Sequence, residues 1–187
     1  MRDIDVRSAM LRRLRDSHAD DASTRIVEEM GIWSGTVRVD IAVINGELSG
    51  VELKSDRDTL ERLPSQAALY SRVFDRMTLV VGSKHIEKAL PLIPTWWGVI
   101  AATWNGQEVE LEDVRKVDKN PKPDAFLLAQ LLWKDEALLV LEARGLAKGW
   151  KSKTAAAVHH HLAASLPIVD LSGSVRAALK ARSVWLR

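Results

Sequence analysis

The run Val37–Ser55 (VRVDIAVINGELSGVELKS) limits what this chain can fold into more than any other segment. Two stretches rich in branched apolar residues flank Asn45–Gly46, a strong short-range hairpin signal. Strands are therefore expected over 36–44 and 47–55, with a further one over 24–32, set apart by Trp33–Gly35. Both strands of the hairpin carry charge where apolar side chains would be the cheaper choice. Asp40 lies inside one, Glu52 and Lys54 inside the other, and a buried charge left unpaired is costly. The two-residue period of a strand puts Glu52 and Lys54 on one face. Whether Asp40 joins them depends on the turn. A two-residue loop pairs Ile44 with Glu47 and sends the carboxylates to opposite faces. A three-residue loop, or a bulge at Gly46 or Gly50, brings them together.

Around this hairpin the pattern is mixed. Residues 3–16 space Val6, Met10, Leu11 and Leu14 as a helix does. Residues 59–76 read as a second helix bearing Leu60, Leu63, Ala67, Tyr70 and Phe74, with Pro64 in its first turn or at a kink. Met77–Gly82 (MTLVVG) is apolar throughout, as a strand covered on both faces would be. A short helix near 85–92 and a strand near 97–103 follow. This order predicts an α/β fold, a mixed central sheet flanked by helices. Asn120–Asp124 (NPKPD) breaks the pattern, and helices are expected beyond it at 124–133, 135–144, 152–165 and 172–182. The chain of 187 residues is accordingly divided into a core of 1–115 and a helical region of 116–187.

Asp40, Glu52 and Lys54 form a chemically coherent set. Mg²⁺ favours hard oxygen ligands and commonly uses one or two carboxylates plus substrate phosphate. A metal so held lowers the pKa of bound water, and a lysine beside it can orient that water or stabilise developing charge. Asp40…Glu52-x-Lys54, followed by helix and strand, resembles the PD-(D/E)xK nuclease superfamily. Gln66 and Tyr70, as Gln-x-x-x-Tyr on the helix, are similar to RecB-like and phage-exonuclease members. The longer run from Val37 to His85 looks like a group of small bacterial nuclease-like proteins, and the likeness covers residues 20–90 well. Arg38-Val39-Asp40 stands where those proteins often have Pro-Asp.

The resemblance implies a restriction-endonuclease-like core and hydrolysis of DNA phosphodiester bonds with Mg²⁺ or Mn²⁺. Asp40, Glu52 and the Leu53 carbonyl would hold the metal, Lys54 would activate water, and Gln66 and Tyr70 would support them. Among Glu28, Glu29, Asp3 and Asp5 as a further acid, Glu29 is favoured. A non-catalytic nucleic-acid-binding protein on a nuclease fold, and an RNA-directed nuclease, are the alternatives. DNA repair, phage defence and mobile-element maintenance would each suit such an enzyme.

Charge is unevenly spread. Residues 1–114 carry 14 Lys/Arg against 19 Asp/Glu, whereas 115–187 carry 13 against 6. A polyanionic partner is thus expected at the C-terminal part. There Leu-x-x-Arg-Gly-Leu…Gly-x-Lys-Ser-Lys resembles the SAP-type DNA-binding module. Lys148, Lys151 and Lys153 would meet phosphate, Trp150 would stack on a base, and Arg176, Lys180 and Arg182 would extend the basic face. His159, His160 and His161, consecutive on one helix, point in different directions and are not spaced as a metal site. Trp96, Trp97 and Trp104 are expected to pack. The absence of cysteine rules out disulfides and thiolate metal sites. A charged start and no stretch near the roughly 20 apolar residues of a membrane span suggest a cytoplasmic protein without a membrane partner. Oligomeric state stays open, with a homodimer among the possibilities.

Overall fold

The computed structural model describes residues 1–32 and 37–183. The Trp33–Gly35 connection and Thr36 lie outside the described residues. The chain divides into two compact units, Met1–Met30 with Val39–Lys122, and Gly31–Arg38 with Pro123–Arg187.

The first unit carries most of a six-stranded mixed sheet whose strands keep chain order: β1 (Arg25–Ile32), β2 (Val37–Ile44), β3 (Leu48–Lys54), β4 (Arg76–Gly82), β5 (Gly98–Trp104) and β6 (Val109–Arg115). The β2–β3 and β5–β6 pairs are antiparallel, and β3–β4 and β4–β5 are parallel. Parallel neighbours require crossovers, supplied by α2 (Leu63–Tyr70) and by the segment holding α3 (Ile86–Ala89). Helix α1 (Asp3–Ser17) packs Val6, Ala9, Met10 and Leu11 against Ile41, Val51, Leu53 and Val80 of the sheet. The odd-numbered positions of β3 therefore face α1, and the even-numbered Glu52 and Lys54 face the side of α2.

The hairpin takes the three-residue loop. Ile44 pairs with Leu48 and Ile41 with Val51, so Asn45, Gly46 and Glu47 form the turn. The Asn45 side chain accepts the Glu47 N–H at 3.0 Å, and Asn45 N–H donates to the Glu47 carbonyl at 3.1 Å. This local bonding of Asn is what favours the longer turn. Gly50 forms no bulge in this register. A Cβ there would lie 2.4 Å from Met77 Sδ, so glycine makes room for β4.

Two elements differ from expectation. Helix 59–76 contracts to Leu63–Tyr70, because Pro64 starts the helix and cannot extend it backward. Strand β6 was not foreseen. Its burial is shallow and its sequence acidic (VELEDVR), as suits an edge strand. Trp97 is fully buried, whereas Trp104 is 49 % exposed, contrary to the packing expected of it.

The second unit is helical beyond Pro123: α4 (Ala125–Ala129), α5 (Lys134–Glu142), α6 (Ala155–Ser165) and α7 (Ile168–Ala181). Its core includes Leu128, Leu132, Leu141, Val158, Leu162, Leu171 and Val175. Asp124 caps α4 and Thr154 caps α6 through side-chain oxygens. No helix among the described residues is long and apolar enough to cross a membrane.

Candidate functional site

The register brings Asp40 opposite Glu52, and the ladder ends just short of that pair. Asp40 Oδ2 instead accepts the Leu53 N–H at 2.8 Å. Its other oxygen takes Arg7 Nη2 at 3.0 Å, while Arg7 Nη1 donates to the Asp40 carbonyl at 3.0 Å. Glu52 is almost wholly buried, and one carboxylate oxygen, Oε1, accepts from Lys54 Nζ and, at 2.5 Å, from Gln66 Nε2 of α2. Its second oxygen, Oε2, is buried without a hydrogen-bond partner, as is Gln66 Oε1. Tyr70, one turn beyond Gln66, stacks on Trp97 and meets Phe74 edge-on. The Trp97 indole donates to Ser71 Oγ at 3.1 Å.

Asp40, Glu52, Lys54, Gln66 and Tyr70 thus meet in one cluster at the C-terminal end of β3. Burial first, then the Asp40 charge, pushes the Glu52 carboxyl up to about 7. Asp40 also rises through burial, opposed by the Leu53 N–H and Arg7. Burial followed by the Glu52 charge raises the Tyr70 hydroxyl as well.

Arg7 was not foreseen as part of this site. Its guanidinium joins Asp3 (3.2 Å), Glu29 (2.9 Å) and Asp40 (3.0 Å). The signal was present, since Arg7 shares a helical stripe with Leu11 and Leu14, a position where an exposed cation is out of place. Glu29 reaches Arg7 from a left-handed backbone (φ 51°) that breaks the alternation of β1. Glu28 is exposed, and Asp5 caps α1 by accepting the Arg2 N–H at 2.7 Å. Asp3 and Glu29 therefore meet the cluster through Arg7.

Both Asp40 oxygens accept hydrogen bonds and Glu52 leaves one oxygen without a partner, while Arg7 is shared by Asp3, Glu29 and Asp40 and Lys54 meets Glu52. No group of three His, Cys, Asp or Glu among the described residues could hold a metal ion. The arrangement is that of a buried polar cluster in which Arg7 and Lys54 face Asp3, Glu29, Asp40 and Glu52.

In the second unit, Lys148 and Lys153 are exposed on the α5–α6 connection. Lys151 pairs with Glu142 at 2.8 Å. Trp150 lies flat on His161 at 3.9 Å, so one face of its ring is already covered. Arg176 and Lys180 are half-buried on α7. Arg182, expected on the basic face, is buried. It donates to Glu136 and to the Leu131 carbonyl and covers the Trp133 ring at 4.3 Å. The three histidines do diverge: His159 meets the Leu132 carbonyl at 3.0 Å, His160 stacks on Phe126, and His161 on Trp150. His159 is buried, which lowers its pKa.

Comparison with known proteins changes the reading of the cluster. A family model described as Bacteriophage P4 protein cII matches residues 1–184. Protein cII of Enterobacteria phage P4 is 26 % identical over 147 residues, covering 78 % of this chain. The chain spans about half (55 %) of that relative's length. No solved structure matches it. A family match over almost the whole chain overturns the PD-(D/E)xK assignment, which rested on short motifs within residues 20–90. With it go the metal-dependent nuclease activity, the RNA-directed nuclease, the binding protein on a nuclease fold, and the links to DNA repair and phage defence. Asp–Glu–Lys on adjacent strands is too degenerate to carry an enzyme class by itself.

Proposed function

Because the chain belongs to the bacteriophage P4 protein cII family, we propose a regulatory, non-enzymatic role, exercised by binding with the phosphate backbone of DNA as partner. The carrying observation is the segment Lys148–Lys153 (KGWKSK), which holds three lysines and no acid. Lys148 and Lys153 are exposed in it, and the segment leads directly into α6. Left-handed Gly145 (φ 69°) and Gly149 (φ 83°) let the chain turn sharply there. Lysines beside a helix start suit phosphate, because the first amides and the helix dipole favour an anion at that end. Contacts of this kind hold a duplex without reading its sequence. A cytoplasmic site of action belongs to the same reading.

In this reading the Asp40–Glu52–Lys54–Arg7 cluster is a buried polar network that holds α1 and α2 to the central strands. The test is duplex-DNA binding by fluorescence anisotropy over a salt series. Replacing Lys148, Lys151 and Lys153 with glutamine should weaken binding and flatten its salt dependence, by about 0.9 in the log–log slope for each phosphate that a lysine no longer neutralises. An unchanged slope would remove the segment, and the reading, from consideration.

A further inference from the structure

The first unit carries a pocket of about 520 Å³ where α1, β4, β5 and β6 meet. Met10, Ile100 and Val114 give it an apolar side, and Thr78, Arg115 and Lys116 line it next to the Arg13–Asp113 ion pair. A bulge in β6 shapes this end of the sheet. Val99 pairs with Arg115 but Ile100 with Asp113, so Val114 is an extra residue, and its side chain is left 44 % exposed.

The charges lining the pocket do not cancel. Asp113 is taken by Arg13, whose Nη2 donates to its two oxygens at 2.7 and 2.6 Å. Arg115 is half-buried, and its Nε and Nη2 donate to the Trp97 and Pro94 carbonyls at 2.6 and 3.0 Å. Carbonyls orient a guanidinium without neutralising it, and burial lowers the Arg115 pKa. Among the described residues no acid pairs with Arg115 or Lys116, and the Thr78 hydroxyl has no hydrogen-bond partner. Two unopposed cations and a free hydroxyl suit a ligand with more than one negative charge and several acceptor oxygens. A phosphomonoester fits, with about −1.5 to −2 charges at neutral pH and three strong acceptors. A carboxylate brings one charge. The volume lies within the range of small-molecule sites, about 300–1,000 Å³.

We infer that this pocket binds a small phosphomonoester of mononucleotide size. Arg115 and Lys116 meet its phosphate, the Thr78 hydroxyl donates to one phosphate oxygen, and Met10, Ile100 and Val114 pack against the rest of the molecule. The proposal is independent of the DNA reading, since none of these residues belongs to the Lys148–Lys153 segment.

Calorimetric titration of the full chain with AMP tests it, with inorganic phosphate and adenosine as companion probes and circular dichroism to confirm folding. AMP should bind, inorganic phosphate more weakly, and adenosine not measurably. Lys116→Gln, at an exposed position, should weaken AMP binding about tenfold, the loss of one hydrogen bond to a charged group. Thr78→Val keeps the shape without the hydroxyl and should also weaken it, and both variants leave the Arg115 carbonyl bonds in place. Replacing Lys148, Lys151 and Lys153 with glutamine should leave AMP binding unchanged. A duplex bearing 5′-phosphates should displace AMP no better than one without them; better displacement would put a DNA end in the pocket and overturn the small-ligand assignment. A wild type that takes neither AMP nor phosphate overturns the proposal. So does adenosine binding as tightly as AMP, or an AMP affinity indifferent to both Lys116→Gln and Thr78→Val.

Discussion

Burial and the neighbouring Asp40 charge raise the Glu52 carboxyl from 4.5 to about 7, so over that interval the folded chain binds a proton the unfolded chain has released. The stability contributed by this group is full below the unfolded value and is lost as pH rises toward 7. Glu52→Gln keeps the shape without the charge. It should raise the melting temperature relative to wild type at pH 8, with the gap closing toward pH 5. The same gap at both pH values would refute this account. Arg7 acts on the other acid. Arg7→Ala leaves a largely buried Asp40 with the Leu53 N–H alone and should cost about 2–3 kcal/mol in urea unfolding. Arg7→Lys should recover only part, lacking the fork that reaches the Asp40 side chain and carbonyl together. A loss no greater than that of an ordinary surface substitution would show that Arg7 is not the compensating cation. Strand parity put Glu52 and Lys54 on one face in advance but left Asp40 to the turn, which the three-residue loop decides. Arg7 was harder to see, because two of its three partners, Glu29 and Asp40, lie 22 and 33 positions along the chain.

Among the elements, those with strong periodicity or turn chemistry were readable from the residues alone. The α1 stripe, the apolar β4 and the Asn45–Gly46 hairpin belong to this group. Strand β6 was missed because half its positions are charged, and its place at the sheet edge is decided by pairing with β5 rather than by local propensity. The α2–β4 connection is fixed by a residue far away in sequence. Asn120, nearly buried, donates from its amide to the Ser71 (2.7 Å) and Phe74 (2.8 Å) carbonyls, and its own N–H goes to the Asp75 carbonyl. Asp75 in turn caps the start of β3 by accepting the Leu48 N–H at 2.8 Å. Asn120→Ala should therefore cost about 2–3 kcal/mol, because two carbonyls lose their donor together. Chemical denaturation of the variant measures it, and Asn120→Asp should fare no better, since a carboxylate cannot donate to either carbonyl. A near-neutral Asn120→Ala would mean that water replaces the amide and that the connection is held elsewhere.

At the scale of the whole molecule, charge is divided along the chain, with a surplus of acid before residue 115 and of base after it. The Asp40–Glu52–Lys54 set first suggested metal chemistry. In the folded chain the two central acids already answer to Arg7 and Lys54, and the family match leads away from phosphodiester hydrolysis. Composition could not separate these cases, because a metal site and a compensated ion cluster use the same residues and differ only in which cation faces which oxygen. The two accounts part in one experiment. The full chain, incubated with linear, circular and single-stranded DNA in Mg²⁺ or Mn²⁺, should leave every substrate intact while anisotropy under the same conditions records binding. Duplex affinity should fall steeply as salt rises, because release of counterions from the phosphates drives such binding. Cleavage that disappears in both Glu52→Gln and Asp40→Asn would restore a catalytic role to the cluster. Intact DNA together with salt-sensitive binding, weakened by replacing the Lys148–Lys153 lysines and unaffected by Glu52→Gln, assigns DNA contact to the helical unit and leaves the charged cluster to stability.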